Sequence, residues 1–127
     1  MQFLDNAMIL AKESARVAGK LPKKYRFTVG QRLSDLGWLI IDHVKTGNGI
    51  SNPKNMQEAE DRSDEFQMAL NILNTSYITT VECAKQLDGI SYKDMERLMY
   101  HADYEIKLLK GVMRSDKQKY IKQFSGS

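Results

Sequence analysis

Apolar residues recur every three or four positions through most of this chain and nowhere alternate one on, one off, so the pattern predicts helices throughout and no strands. The first predicted helix runs from about Gln2 to Ala18, with Leu4, Met8, Ala11, Ala15 and Ala18 as its inward stripe. Gly19 ends it, and Pro22, which lacks a backbone donor, blocks its continuation. A second helix is predicted from about Arg26 to Lys45, burying Val29, Leu33, Leu36, Ile40 and Val44. Thr28 and Gln31 stand at capping-box spacing at its start, with an alternative start nearer Pro22; Gly47-Asn48-Gly49 ends it.

The third helix offers two starts, Asn52-Pro53 or Asn55 with Glu58, and is the longest at roughly 35 residues or ~50 Å. Its stripe is Met56, Ala59, Ser63, Phe66, Leu70, Leu73, Tyr77, Thr80, Ala84 and Leu87, a heptad-like row suited to bundle packing. Gly89 closes it. Ser91 then caps a fourth helix, with Ile90 and Met95 as a hydrophobic staple and Met95, Met99, Ala102, Ile106, Leu109 and Met113 facing inward. From Ser115 the chain turns polar and basic. The expected organisation is therefore one bundle over residues 1–115 and a flexible basic tail over 116–127. Short connections between four helices imply an all-α, antiparallel, up-down-up-down four-helix bundle.

Composition narrows the picture modestly. The net charge of +3 and the pI of about 8.9 are mildly basic and match many plain globular domains. One cysteine, Cys83, excludes an internal disulfide and fits a reducing cytosol. The N-terminus lacks the positive and apolar regions of a signal peptide, and no apolar run approaches the ~20 residues of a membrane span. The expectation is a cytoplasmic protein with no membrane association.

Catalytic chemistry is hard to assemble from these residues. A di-metal carboxylate bundle needs Glu-x-x-His pairs, but Ile40 precedes His43 and Leu98 precedes His101 at that spacing. Cys83, next to core Ala84, reads as a small buried hydrophobe, and the acidic run from Glu58 to Glu65 as a solvated face. There is no phosphate-binding glycine loop and no zinc spacing. The expectation is a non-enzyme with no catalytic residues, metal or cofactor.

The chemistry that does concentrate lies in Leu21-Pro22-Lys23-Lys24-Tyr25-Arg26-Phe27-Thr28-Val29-Gly30-Gln31-Arg32, which joins cations, aromatic rings and a helix start. Cations meet phosphates and rings stack on bases, although the same residues could equally keep a loop soluble while Tyr25 and Phe27 cover the bundle end. On a helical wheel, Tyr100 and Tyr104 fall about 140° and 180° from the fourth core stripe, with Lys93, Lys107 and Arg114 on the same flank. Trp38 lies about 180° from the second stripe, flanked by Ser34 and Ile41, with Gly30 and Gly37 to one side. These outward aromatics predict self-association through Trp38, Ile41, Tyr100 and Tyr104. Arg32, near the core edge, is also a candidate to bond a neighbouring helix end.

The run Leu21-Pro22-Lys23-Lys24, Arg26-Phe27-Thr28 and Gly30-Gln31-Arg32 resembles the signature of Avd-like four-helix bundle proteins, the accessory variability determinants of diversity-generating retroelements. The chain lacks the Arg-Arg-Ala…Asn-Ile-Ala-Glu-Gly pattern of the related 23S rRNA intervening-sequence proteins. The resemblance implies a ring-shaped homo-oligomer, a pentamer, that binds a reverse transcriptase and RNA or DNA and supports mutagenic cDNA synthesis without catalysis of its own. Lys20, Lys23, Lys24, Arg26, Arg32, Lys107, Lys110 and Arg114 are the expected nucleic-acid contacts. The competing expectation is an oligomeric helical scaffold that binds protein alone.

Overall fold

In a computed structural model, which describes residues 1–125, four antiparallel rods account for almost all of the backbone, and no strand occurs among the described residues. Helix α1 is Gln2–Lys20; α2 covers residues 23–49, α3 residues 56–86 and α4 residues 92–125. Helix α1 packs on α2 and α4, and α3 packs on those same two, so sequential neighbours are spatial neighbours. The up-down-up-down four-helix arrangement expected from the short connections is the one observed.

Three of the rods contain a widened π-helical turn, at Arg26–Gly30 in α2, Leu73–Tyr77 in α3 and Lys117–Ile121 in α4. The capping pattern explains where the rods begin. Asn55 accepts from the Glu58 backbone N–H at 2.9 Å, and Ser91 accepts from that of Asp94 at 3.0 Å. Of the two starts predicted for α3, Asn55 is the one used. The Thr28–Gln31 capping box does not form: α2 already begins after Pro22, and the Thr28 hydroxyl donates to the Tyr25 carbonyl. Between α3 and α4, Asp88 takes the left-handed conformation at φ 54°. Gly89 beside it is needed for space, because a Cβ there would strike Leu21 of the α1–α2 connection.

Two of the predicted stripes are displaced by about one position. In α1 the buried residues are Phe3, Asn6, Ala7, Leu10, Ala11, Ser14 and Val17; of the predicted stripe Ala11 is among them, while Leu4, Met8, Ala15 and Ala18 are half-buried. In α4 the row is Leu98, Ala102, Glu105 and Leu109, with Met95, Met99, Ile106 and Met113 at its margin. The cause is the same in both: a polar residue occupies a core row and disguises its phase. Ser14 earns its place by bonding inward. Its hydroxyl donates to the Leu10 carbonyl at 2.7 Å and so accepts from the Tyr77 hydroxyl at 2.6 Å, linking α1 to α3. Leu87, expected inside, is exposed at the end of α3. Cys83, expected buried, is also exposed.

The boundary expected near Ser115 has no counterpart in the backbone, since α4 stays helical through the π turn to Ser125. Buried Arg62 anchors this extension. Its guanidinium bonds Asp116 at 2.6 Å and the carbonyls of Gly47 and Ile50, and it lies over the Phe66 ring. Tyr120 adds a hydroxyl bond to the Ser51 carbonyl. The last part of the expected tail, residues 126–127, lies outside the described residues.

Candidate nucleic-acid interface

The cations singled out from sequence fall into two groups at opposite ends of the bundle. Lys20, Lys23, Lys24 and Arg26 surround the α1–α2 connection, next to the start of α4. Lys107, Lys110 and Arg114 lie on α4 roughly 22 Å or more from that start, at 1.5 Å per residue. Within the chain they form two surfaces.

At the first end, Lys23 and Lys24 are exposed and Lys24 Nζ sits 5.1 Å over the Tyr25 ring. Arg26 is partly structural, its Nε donating to the Leu21 carbonyl at 2.9 Å. Phe27, which could have covered the bundle end, instead projects outward with 83% of its surface exposed. Lys20 leans toward Asp94 at 3.6 Å, and Arg16 holds the same carboxylate at 3.0 Å. Burial alone would raise the pKa of Asp94, but the Arg16 bond, both nearby cations and the Ser91 hydroxyl outweigh it and hold the carboxyl below its ordinary value. Lys20 is therefore partly neutralised. Arg32 reaches a neighbouring helix, its Nε donating to the Thr80 hydroxyl at 3.2 Å, but within α3 and not at a helix end.

At the second end, Lys107, Lys110 and Arg114 are exposed and have no ion-pair partner among the described residues. The nearest carboxylate in sequence on their C-terminal side, Asp116, is committed to Arg62. Tyr100 and Tyr104 stand exposed on the N-terminal side of this row, their rings stacked at 6.3 Å and inclined by 25°. They border a shallow groove completed by Gln2, Asp5, Asn6 and Ile9 of α1.

Of the expected interface residues, Trp38 is outward, with 43% of its surface exposed, as are Tyr100 and Tyr104. Ile41 is a correction: it is 2% exposed and belongs to the core, so no partner can reach it. The wheel misplaced it because α2 buries a second row against α1. Gly37 shows how close that seam is, as a Cβ there would lie 3.1 Å from the Ser14 Cβ and 3.2 Å from the Ala11 Cα.

Three buried polar residues lie outside the cations and aromatics that the sequence singles out. Glu105 is fully buried; its Oε1 accepts from Asn6 Nδ2 at 3.1 Å, while Oε2 has no partner among the described residues. Burial, opposed by the smaller effect of the Asn6 bond, pushes this carboxyl up to about 8, so the protonated form predominates at pH 7. Asn6 also donates to the His101 carbonyl, and its Oδ1 faces His101 Nδ1 at 3.0 Å. An amide oxygen only accepts, so that nitrogen carries the proton. Arg62 is the third. Both Arg62 and Glu105 sit on core rows by spacing (59-62-66 and 98-102-105-109), which was the available signal. His43 pairs with Glu65 at 2.7 Å, and no group of three or more possible metal ligands occurs among the described residues. No described helix is long and apolar enough to cross a membrane. No family model matches this chain, and no curated protein matches it at a significant level.

Proposed function

We propose that this protein is a non-catalytic nucleic-acid-binding subunit that self-associates into a ring and serves a reverse transcriptase as an accessory factor, in the manner of the Avd-like proteins its α1–α2 segment resembles. The observation that carries the binding part is the row Lys107, Lys110 and Arg114, exposed and free of ion pairs among the described residues. Cations that are not neutralised internally remain available to replace counterions on a phosphate backbone. Lys23 and Lys24 offer the same at the other end, so an assembly of several copies would present both groups repeatedly and gain from their combined effective concentration.

The outward Trp38, with Leu39 and Met68 each more than two-fifths exposed, supports self-association. The same residues favour the second reading, a scaffold that binds protein alone. One pair of variants separates the two. Under the proposed function, Lys107→Gln with Lys110→Gln and Arg114→Gln weakens filter binding to RNA and DNA of any sequence, and Trp38→Ala lowers the sedimentation coefficient. Under the scaffold reading, only Trp38→Ala has an effect. A wild type that sediments as a monomer removes the ring from both.

A further inference from the structure

The helical continuation of α4 past Ser115 changes what its outer face can hold. Residues 107–122 carry six cations, Lys107, Lys110, Arg114, Lys117, Lys119 and Lys122, and a single carboxylate, Asp116, which Arg62 occupies. All six cations are exposed. Relative to Lys107, Arg114 and Tyr100 lie within about 20° around the helix and Lys110 and Tyr104 within about 60°, whereas core Leu109 is about 160° away. By the same count Lys122 lies about 60°, Lys117 about 80° and Lys119 about 120° from Lys107, so these exposed cations fan around the last turns of α4 beyond the row instead of continuing one line. From Tyr100 to Lys122 the face is roughly 33 Å long at the standard rise.

The row has an asymmetric chemistry. Its C-terminal two-thirds are cationic, and its N-terminal end is the stacked Tyr100–Tyr104 pair, beside Asp103 and edge-on to His101 at 5.2 Å. A duplex would meet the lysines but could not use the rings, since its bases already stack on one another. An unpaired base can lay its face on an exposed phenol ring. We propose that the outer face of α4 is a track for single-stranded nucleic acid, with phosphates along Lys107–Lys122 and unpaired bases on Tyr100 and Tyr104. This rests on the nucleic-acid reading above and adds to it the strand class and the contribution of the C-terminal cations.

The test uses the full chain and three fluorescent probes: a 20-nucleotide oligo(dT), a duplex of equal length, and heparin as a polyanion without bases. Anisotropy titrations at low and moderate salt are expected to show oligo(dT) binding more tightly than the duplex. Tyr100→Ala with Tyr104→Ala should weaken oligo(dT) binding at least about fivefold per ring, the low end for base–aromatic stacking, and leave duplex and heparin binding unchanged. Phenylalanine at both positions should restore it. Lys117→Gln, Lys119→Gln and Lys122→Gln together should weaken all three probes alike. Equal affinity for duplex and single strand, or indifference to the alanine pair, would overturn the track while leaving nucleic-acid binding standing. Failure to bind any probe would overturn both. Far-ultraviolet circular dichroism of each variant confirms that the fold is retained, as expected for exposed positions.

Discussion

Glu105 makes the stability of this bundle depend on pH between mildly acidic and mildly basic conditions. In the unfolded chain its carboxyl titrates at the ordinary value of 4.5, and burial raises it to about 8 in the folded state. Between those values the native state holds a proton that the unfolded state has released, so stability falls as pH rises through the interval and levels off above it. With about 1.4 kcal/mol for each pH unit, the gap between 4.5 and about 8 amounts to at most about 5 kcal/mol. That is a large share of the ~5–15 kcal/mol by which domains of this size are stable. Urea unfolding followed by circular dichroism from pH 5 to pH 9 gives the free energy at each step. The wild type should lose stability from pH 5 up to about pH 8 and level off toward pH 9. Glu105→Gln keeps the acceptor for Asn6 and cannot ionise, so its curve should be flatter by the Glu105 contribution and should lie above the wild type at pH 9. A wild-type curve that is flat from pH 5 to pH 9, or a variant with the same slope, would refute the buried neutral acid.

Other consequences follow from the packing. Arg62→Ala strands Asp116 and two carbonyls, so chemical denaturation should show a loss of about 3–5 kcal/mol, with hydrogen exchange quickening first in residues 117–125. Gly47→Ala places a Cβ 2.7 Å from the Phe66 ring in a closed core and should cost about 1–3 kcal/mol by the same measurement, despite alanine's better helix propensity. Asp94 behaves oppositely to Glu105: its lowered folded value means that its stabilisation is present above the ordinary 3.8 and is lost as pH falls through the folded value, and Asp94→Asn should remove that acid limb.

Much of the architecture was legible in the chain because its signals are local. Asn55, Ser91 and the Gly-Pro punctuation mark rod ends whatever the tertiary context, and the 3.6-residue period separates inside from outside within about one position. The errors share a cause. Periodicity ranks rows by hydrophobicity, so Ser14, Arg62 and Glu105, polar residues on core rows, shifted the apparent phase or vanished into it. Their partners, Tyr77, Asp116 and Asn6, lie far away in sequence, and only the folded bundle brings them together. Ile41 was misassigned for a related reason, since a helix between two neighbours buries a wider arc than one stripe. The candidate site was visible as residue types, but its division into two ends and the extension through Lys122 required the fold. That Asp116 anchors the C-terminal segment could not be inferred from a run of lysines.

The most direct test of the central claim is the salt dependence of nucleic-acid affinity for the wild-type protein. Four or so phosphate contacts along α4 predict a log-log slope of roughly −3 to −4 between 50 and 200 mM salt, reduced by roughly two to three when Lys107, Lys110 and Arg114 are replaced by glutamine. A slope near zero, or a steep slope that the triple substitution leaves unchanged, would contradict it.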